Sequence, residues 1–413
     1  MSKKENNNKT IFCGLTHVGQ VFSIGWAEKI SRCAVFDFDK KKLKQFQNKI
    51  VTSEEPSLKK KLIKNYKKID FVKSEKEIKN YKNVFLTIDT PLALNGTPNV
   101  NFIFENIKRL KKYLAESSNL IITSQVYCGF CDDLKKKFFK DRKDINFIYM
   151  AETLVMGNAF ERFIRPERII LGAEKKVSFL KQFKKFKCKI YQYNLKQAEM
   201  VKMAINLFLF NSVSYANLLD NYCRQFNFKF SDINESIRSD KRIGLNAYIS
   251  PSLGLSGGHL ERDVYTTIKT LKDKPSKKIF SRLEKMNNSR INLLIKKFYN
   301  LNKKKKYRKI IWAGPSYKLN SFSIVNSPYL KFKKFLKSKK INLLAFDSFF
   351  NLKKEKISFA IEKLDKKNFK DSLVIFNYLN KKDEKNLTQL KQKKICDALN
   401  INFSTKKKEF LNY

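Results

Sequence analysis

The chain has 413 residues, of which 42% are hydrophobic, so two or three domains with filled cores are expected. No apolar stretch approaches the roughly 18 residues of a membrane span, and seven scattered Cys residues without a signal peptide argue against a disulfide framework. We therefore exclude the transmembrane and disulfide-stapled classes and expect a soluble, cytoplasmic protein with reduced thiols.

The chain carries 87 Lys and Arg residues against 38 Asp and Glu residues, a net charge of +49 that is spread along its whole length. Runs such as KKKLKQFQNK and LKKKFFKDRK are mostly Lys and share their segments with apolar residues at helical spacing, which is typical of solvent-exposed helix faces. We therefore predict that nucleic acid is not the partner. A nucleic-acid-binding protein stays an alternative, which salt-dependent binding to duplex DNA would support.

From Thr10 to about Tyr193, short apolar runs alternate with amphipathic segments. This alternation predicts a parallel sheet with crossover helices, whose strands are TIFC, CAVFDF, NVFLTI, NLIITS, NFIYM and RIILG. The segment from Leu195 to about Phe226 has no Pro or Gly and is apolar on all sides for several turns, which predicts one long buried helix.

A helical pattern continues to about Asn300, and the Lys run before Ile310 is interpreted as a linker. The runs KIIWAG, INLLAFD and SLVIFN then restart the alternation and predict a second, smaller α/β domain. The predicted domains are residues 1–194, 195–300 and 301–413.

The stretch IFCGLTHVGQ places Gly14, Val18 and Gly19 where a strand passes into a helix, and CAVFDFD ends the next strand with Asp37. In a dinucleotide site the first Gly makes the tight turn, the pyrophosphate lies on the helix N-terminus, and the acid binds the ribose hydroxyls. Thr16 stands where such sites have a further Gly, which would keep the backbone farther from the pyrophosphate. We predict an NAD site, with a plain strand-to-helix turn as the alternative.

Further motifs follow in the order VFLTIDTPLALNGTPNV, IITSQVYCG, YMAETLVMGNAFERFIRPERIILG, AEMVKMAIN, SDKRIG and SPSLGLSGGHLERDVYTT. Together they resemble the UDP-glucose/GDP-mannose dehydrogenase family over nearly the whole chain. The positions that carry the resemblance are Thr90, Pro91, Ser124, Glu152, Leu154, Pro166, Arg168, Lys202, Asn206, Asp240, Arg242, Gly244 and Asp263.

The resemblance implies an α/β fold of two Rossmann-like domains joined by a long central helix, in a helical middle region that also forms a homodimer. It implies NAD-dependent oxidation of a nucleotide-sugar, as by a UDP- or GDP-sugar 6-dehydrogenase, for polysaccharide precursor synthesis. Residues 1–194 would bind NAD, with contacts from Gly14, Thr16, Val18, Gly19, Asp37, Thr90 and Ser124. Residues 301–413 would bind the nucleotide-sugar, and the expected substrate contacts are Arg242, Gly254, Gly257, Gly258 and Lys318.

The expected catalytic residues are Glu152, Lys202, Asn206, His259 and Asp263. Lys202 and Asn206 are four positions apart on one helix face, where an ammonium beside an amide could hold a developing oxyanion; a buried structural pair is the alternative. Glu152 follows a predicted strand in an apolar context, where desolvation would raise its pKa and suit it to proton transfer. A helix N-cap or a salt bridge is the alternative for Glu152.

In the family, a Cys of the glycine loop attacks the aldehyde formed by the first oxidation, and the resulting thioester is hydrolysed to a uronic acid. Counted back from Asp263, that position is His259 in this chain. An imidazole could accept the proton of a sugar hydroxyl, but it forms no thioester. The first oxidation is therefore possible, while the second lacks its nucleophile. The alternative is that His259 only hydrogen-bonds a phosphate or a backbone group.

The chain departs from the family's motifs at Thr16, Gln125, Ala151, His259 and Val325. These substitutions leave open a catalytically impaired relative that binds NAD and nucleotide-sugar as a non-enzymatic partner.

Two competing sites are less favoured. The motif CGFC, Cys128 to Cys131, has the spacing of a redox dithiol but overlies the turn after a predicted strand. His259, Glu261 and Asp263 could ligate a metal only in an extended segment, so no metal is predicted.

Overall fold

The structure is a computed structural model that describes residues 9–53, 55–92, 97–175, 177, 179–305, 307, 309–316, 323–347, 372–376 and 395–397. The chain divides into two compact units, Met1–Ile205 and Asn206–Tyr413, and the division falls inside one long helix. The finer domain boundaries at residues 194 and 300 stay a prediction.

The first unit is built on an eight-stranded sheet in the order β3-β2-β1-β4-β5-β6-β7-β8. Its strands are β1 (Thr10–Cys13), β2 (Cys33–Phe36), β3 (Ile69–Phe71), β4 (Asn83–Leu86), β5 (Asn119–Ile122), β6 (Asn146–Met150), β7 (Arg168–Ala173) and β8 (Lys189–Tyr193). Its α-helices are α1 (His17–Lys29), α2 (Lys40–Gln47), α3 (Leu58–Asn65), α4 (Val100–Lys111), α5 (Phe130–Phe138), α6 (Ala159–Ile164) and α7 (Leu180–Phe183). Short 3-10 turns cover Tyr66–Lys68, Glu75–Asn80 and Lys184–Phe186.

The predicted sheet is confirmed, with one correction of direction. Neighbouring strands are parallel except β6 and β7, which pair antiparallel. The connection between them, residues 151–167, returns the chain from the same end of the sheet with only the short α6 on the way, so β7 runs opposite to β6. The sequence did not predict the three-residue β3 or the partly exposed β8.

Two cores cover the two faces of this sheet, because successive strand residues point to opposite sides. Phe12 and Phe85 lie on one face and pack with Trp26 of α1, while Ile11 and Leu86 lie on the other face. All five side chains are buried. The sheet is therefore covered on both sides, as a doubly wound fold requires.

A row of polar side chains crosses the strands at the edge where they begin. Asn83, Asn119 and Asn146 stand in register on β4, β5 and β6, beside Thr10 of β1, and all four are buried. Each amide nitrogen donates to its neighbour: Asn146 to Asn119 at 2.8 Å, Asn119 to Asn83 at 2.7 Å, and Asn83 to the Thr10 hydroxyl at 3.4 Å. This asparagine ladder satisfies polar groups that burial would otherwise penalise.

The second unit contains helices followed by a smaller parallel sheet in the order β10-β9-β11-β12. The helices are α8 (Leu195–Gln225), which begins in the first unit, α9 (Asn234–Ser239), α10 (His259–Thr270), α11 (Lys274–Ser289), α12 (Ile291–Lys305) and α13 (Pro328–Ser338), with a 3-10 turn at Phe230–Asp232. The strands are β9 (Lys309–Ala313), β10 (Asn342–Phe346), β11 (Ser372–Phe376) and β12 (Ile395–Asp397).

Two expectations about this unit need correction. The long helix α8 is present, but it is not buried on all sides: Phe208, Tyr215 and Tyr222 are 73%, 57% and 58% exposed. Its own chain therefore does not cover all of its apolar surface. The Lys run before Ile310 is not simply a linker, because α12 continues through it to Lys305, consistent with the good helix propensity of Lys. Among the described helices, none is both long enough and apolar enough to cross a bilayer.

Candidate functional site

At two positions where β1 passes into α1, only glycine fits. Gly14 has a φ of +111°, in the left-handed region, and a Cβ there would overlap the Ile88 side chain. A Cβ on Gly19 would overlap the carbonyl oxygen of Gly14. The turn therefore brings α1 directly against the end of β1, as in a dinucleotide-binding βαβ unit.

The N-terminus of α1 has no side-chain cap, and its first turn contains no acidic residue. Thr16, at the N-cap position, donates its hydroxyl to the carbonyl oxygen of Thr87 at 2.7 Å instead of capping the helix. Val18 lies in this first turn and is partly buried. The backbone donors and the helix dipole at this end suit a pyrophosphate, even with Thr16 in the place of a Gly.

Asp37 directly follows β2 and is almost fully buried. Its carboxylate accepts hydrogen bonds from the Leu15 N–H at 2.5 Å and the Asp39 N–H at 2.7 Å. Asp37 lines a cavity of about 810 Å³ together with Thr16 and Ile88. The backbone bonds fix Asp37 beside the glycine turn, where a carboxylate suits ribose hydroxyls.

Thr90 and Ser124 tie the ends of β4 and β5 together. The Thr90 hydroxyl donates to the carbonyl oxygen of Gln125 at 2.6 Å, and the Ser124 hydroxyl donates to that of Ile88 at 2.6 Å. Both side chains are buried. Their hydroxyls therefore shape the sheet edge next to the cavity.

Glu152 and Lys202, two of the predicted catalytic residues, form an ion pair in the first unit. Lys202 Nζ lies 3.8 Å from Glu152 Oε2, and both side chains are only slightly exposed. Glu152 also accepts a hydrogen bond from the Leu154 N–H. The salt bridge that was the alternative for Glu152 is therefore present. Its partner is Lys202, which is itself predicted to stabilise negative charge on the substrate oxygen.

The buried carboxylate of Glu55, also in this unit, was not among the residues predicted from the sequence. Glu55 accepts the N–H groups of Gly157 at 2.6 Å and Ala159 at 3.0 Å, in the loop that follows Glu152. His17, the first residue of α1, lies with Nε2 3.5 Å from Glu55 and Nδ1 2.7 Å from the Ser53 hydroxyl. Glu55 thus links the N-terminus of α1, at His17, to the loop that follows Glu152. In the sequence, the signal for this contact was His17, which lies between Gly14 and Gly19.

In the second unit, Asn206 and Asp263 form the other pair of predicted catalytic residues. The Asn206 amide nitrogen donates to Asp263 Oδ2 at 2.7 Å, and both side chains are buried. The pair joins α8 to α10.

The glycine loop before α10 uses left-handed backbone at all three glycines, with φ values of +104° at Gly254, +100° at Gly257 and +87° at Gly258. The Asn287 side chain holds the loop: its Oδ1 accepts from the Leu255 N–H at 2.6 Å, and its Nδ2 donates to the Leu255 carbonyl oxygen at 3.3 Å. A Cβ on Gly254 would press on the Asn287 backbone. The loop conformation is therefore specific to glycine.

His259 is the first residue of α10 and is exposed. Its Nδ1 lies 3.0 Å from an Nη2 of Arg262, one turn along the helix. Glu261 accepts from the Gly258 N–H and the Asn326 amide, both at 3.2 Å, and burial raises the pKa of its carboxyl. His259, Glu261 and Asp263 thus contact different partners, and among the described residues no three His, Cys, Asp or Glu side chains are grouped to hold a metal.

The remaining predicted substrate contacts are less well placed. The Arg242 side chain is 89% exposed and forms an ion pair with Asp240 at 2.6 Å, in a turn that ends at Gly244. Lys318 lies outside the described residues.

The CGFC motif does not have the properties of a redox dithiol. Glu199, fully buried, accepts the N–H groups of Gly129 at 2.6 Å and Cys131 at 2.9 Å. Burial, with Glu199 beside it, raises the pKa of the Cys131 thiol well above its ordinary value, and burial raises that of Cys128. Reactive cysteines need the opposite shift.

Residues 8–195 match the NAD binding domain of the UDP-glucose/GDP-mannose dehydrogenase family, and residues 196–289 match the central domain of that family. The UDP-glucose 6-dehydrogenase of Rickettsia bellii is 24% identical over 352 residues, which cover 81% of this chain and 80% of its own length. Two solved structures share the fold with a TM-score of 0.83 each: a UDP-glucose dehydrogenase from Pyrobaculum islandicum (19% identical, covering 99% of this chain and 98% of that one) and a UDP-D-ManNAc dehydrogenase from Pyrococcus horikoshii (17% identical, covering 97% and 98%). The chain therefore belongs to the UDP-glucose/GDP-mannose dehydrogenase family of NAD-dependent oxidoreductases that act on nucleotide-sugars.

Proposed function

We propose that this dehydrogenase oxidises the hydroxyl-bearing carbon 6 of a UDP- or GDP-linked sugar, for the synthesis of polysaccharide precursors. The names of its relatives support a UDP-sugar. The observation that carries the proposal is the pairing of four candidate catalytic residues as Glu152 with Lys202 and Asn206 with Asp263. A relative that only binds these ligands is not favoured, because the similar proteins are dehydrogenases.

The first unit fits NAD. Gly14 and Gly19 leave the close approach that the pyrophosphate needs, the N-terminus of α1 is uncapped by side chains, and Asp37 is fixed where it can accept the ribose hydroxyls. Thr90 and Ser124 would line the same edge. When bound, NAD supplies the acceptor for the hydrogen and electron pair that leave the sugar carbon.

We propose that both pairs take part in the reaction. α8 carries one member of each pair, Lys202 and Asn206, four positions apart. Lys202 and the Asn206 amide would stabilise negative charge on the sugar oxygen, and Glu152 would take the hydroxyl proton. Asp263 would orient Asn206 through the hydrogen bond that it accepts.

We also propose that the enzyme is a homodimer. Phe208, Tyr215 and Tyr222 recur every seventh residue on α8 and are all more than half exposed, which is the spacing of a helix-to-helix seam. Large aromatic side chains in one exposed row are typical of an interface.

Formation of NADH with a panel of UDP- and GDP-sugars tests the proposed reaction. We expect turnover with at least one of them, and expect Glu152→Gln to abolish most of it. Binding of NAD and nucleotide-sugar without any NADH would support the non-enzymatic alternative instead.

A further inference from the structure

The contact between His259 and Arg262 decides which ring nitrogen of His259 carries the proton. Arg262 is almost fully buried, whereas His259 is exposed at the start of α10. The two atoms in contact, Nδ1 of the imidazole and Nη2 of the guanidinium, are 3.0 Å apart.

A guanidinium has only donors and stays protonated in proteins, so Nδ1 must be the acceptor of this hydrogen bond. An imidazole that accepts at Nδ1 keeps its lone pair there, and its single proton is on Nε2. A doubly protonated ring has no lone pair at Nδ1 and would lose the bond. The contact therefore selects one neutral tautomer.

We propose that His259 acts in the dehydrogenase reaction as a neutral hydrogen-bond donor, through Nε2–H, to the oxygen on the reacting sugar carbon, and that Arg262 is the positioning residue that holds this tautomer. The proposal rests on the proposed function. It replaces the general-base role expected from the sequence, because the lone pair that a base needs is the one that Arg262 occupies. The hydroxyl proton then falls to Glu152.

The surroundings of His259 hold this arrangement in place. Glu261 binds the Gly258 N–H and Asn326, and Gly257 donates to the carbonyl oxygen of Val325 at 2.9 Å, so both sides of the loop are anchored. Charged groups near this end of α10 include Asp263, which binds Asn206, and Glu284 and Lys331, which both act electrostatically on Glu261. Burial lowers the pKa of Lys331.

Nuclear magnetic resonance of the full chain with isotope-labelled histidine tests the tautomer directly, because the chain has only two His residues. The signals that disappear in His259→Gln belong to His259. We expect a protonated Nε2 and an unprotonated Nδ1 at neutral pH in the wild type, and a mixture of tautomers in Arg262→Leu. A proton on Nδ1 in the wild type would overturn the proposal.

Kinetics test the donor role. The Gln side-chain amide can place an N–H near the position of Nε2, so His259→Gln should stay within ~10-fold of wild-type kcat, while His259→Ala should lose ~100-fold or more. The pH dependence of kcat/KM should keep its shape in His259→Gln, since a donor adds no titrating limb. Equal loss in both variants would contradict the donor role, and a limb that vanishes with the imidazole would show that His259 is a base.

The two experiments separate this inference from the proposed function. If the wild type forms no NADH with any nucleotide-sugar, the proposed function and the donor role both fail. The resonance experiment then still decides the tautomer, because it does not depend on activity.

Discussion

The Asn206 amide donates to the Asp263 carboxylate at 2.7 Å, in a region where both side chains are buried. The bond uses one of the two amide protons of Asn206 and fixes the plane of its amide. The other proton keeps a defined direction, which a group that stabilises an oxyanion must have. Asp263 therefore fixes the orientation of the Asn206 amide.

Lys202 can be tested against its structural alternative. If Lys202 stabilises charge in the transition state, Lys202→Ala should lower turnover by ~100-fold or more with little change in melting temperature. Lys196→Ala is the matched control, because Lys196 is on the same helix but is exposed and pairs with Asp132. A Lys202→Ala protein that fails to fold would support a structural pair with Glu152.

Asp37 should set the choice of cofactor. Removing its carboxylate in Asp37→Ala should weaken NAD binding strongly and reduce the preference for NAD over NADP, because the acid accepts ribose hydroxyls and repels a 2′-phosphate. Calorimetry with each cofactor measures both effects. Asp37 also binds the Leu15 N–H, so unfolding of the variant is followed in parallel. Unchanged affinity in a folded variant would mean that the dinucleotide lies elsewhere.

The number of NADH molecules formed per sugar should report the missing thiol. His259 forms no thioester, so we expect the wild type to stop at the aldehyde after one NADH or to oxidise the aldehyde hydrate without a covalent intermediate. His259→Cys should allow two NADH per sugar with a uronic acid product, at a lower rate because the imidazole donor is removed. Two NADH from the wild type, together with inactivation by a thiol reagent, would point to another cysteine in the site.

The exposed row on α8, Phe208, Tyr215 and Tyr222, should form the interface of the proposed homodimer. Tyr215→Glu places a charge in the middle of the row and should shift the protein to monomers in sedimentation experiments. Ile63→Glu is the matched control, since Ile63 is 51% exposed on a different helix. If Tyr215→Glu sediments with the same mass as the wild type, this row is not part of a dimer interface.

The asparagine ladder should contribute measurably to stability. Asn119→Ala leaves the Asn83 oxygen and the Asn146 nitrogen without their partner, and each buried group left unsatisfied costs about 1–3 kcal/mol. Denaturant unfolding measures the loss, and Asn80→Ala, at an exposed position, should change little. A loss no larger than that of the control would show that water replaces the ladder bonds.

The sequence predicted strands whose signal is a continuous apolar run, and it missed those whose signal is weak. β1 and β5 are buried on both faces and read as TIFC and NLII. β3 has three residues, and β8, at the sheet margin, contains exposed Lys189 and Gln192 and is only partly buried. The antiparallel direction of β7 could not be predicted from the sequence, because an apolar run carries no information on the direction of its strand.

At the site, residue types and their order identified the candidates, but not their partners. Glu152 and Lys202 are 50 positions apart in sequence, and only the fold shows that they form an ion pair. His259 and Arg262, by contrast, have the spacing of one helical turn, which was a local signal for their contact.

Glu55 has a consequence for the order of folding. Its carboxylate accepts the N–H of Ala159, which lies 104 positions later in the chain. The same carboxylate lies beside His17, at the start of α1. Closing so long a loop costs entropy before the contact stabilises anything, so this junction should form late and only after β6 has been added to the sheet. During synthesis, a chain that ends before Gly157 would carry the glycine turn and Asp37 but not the junction that connects them to the Glu152 loop.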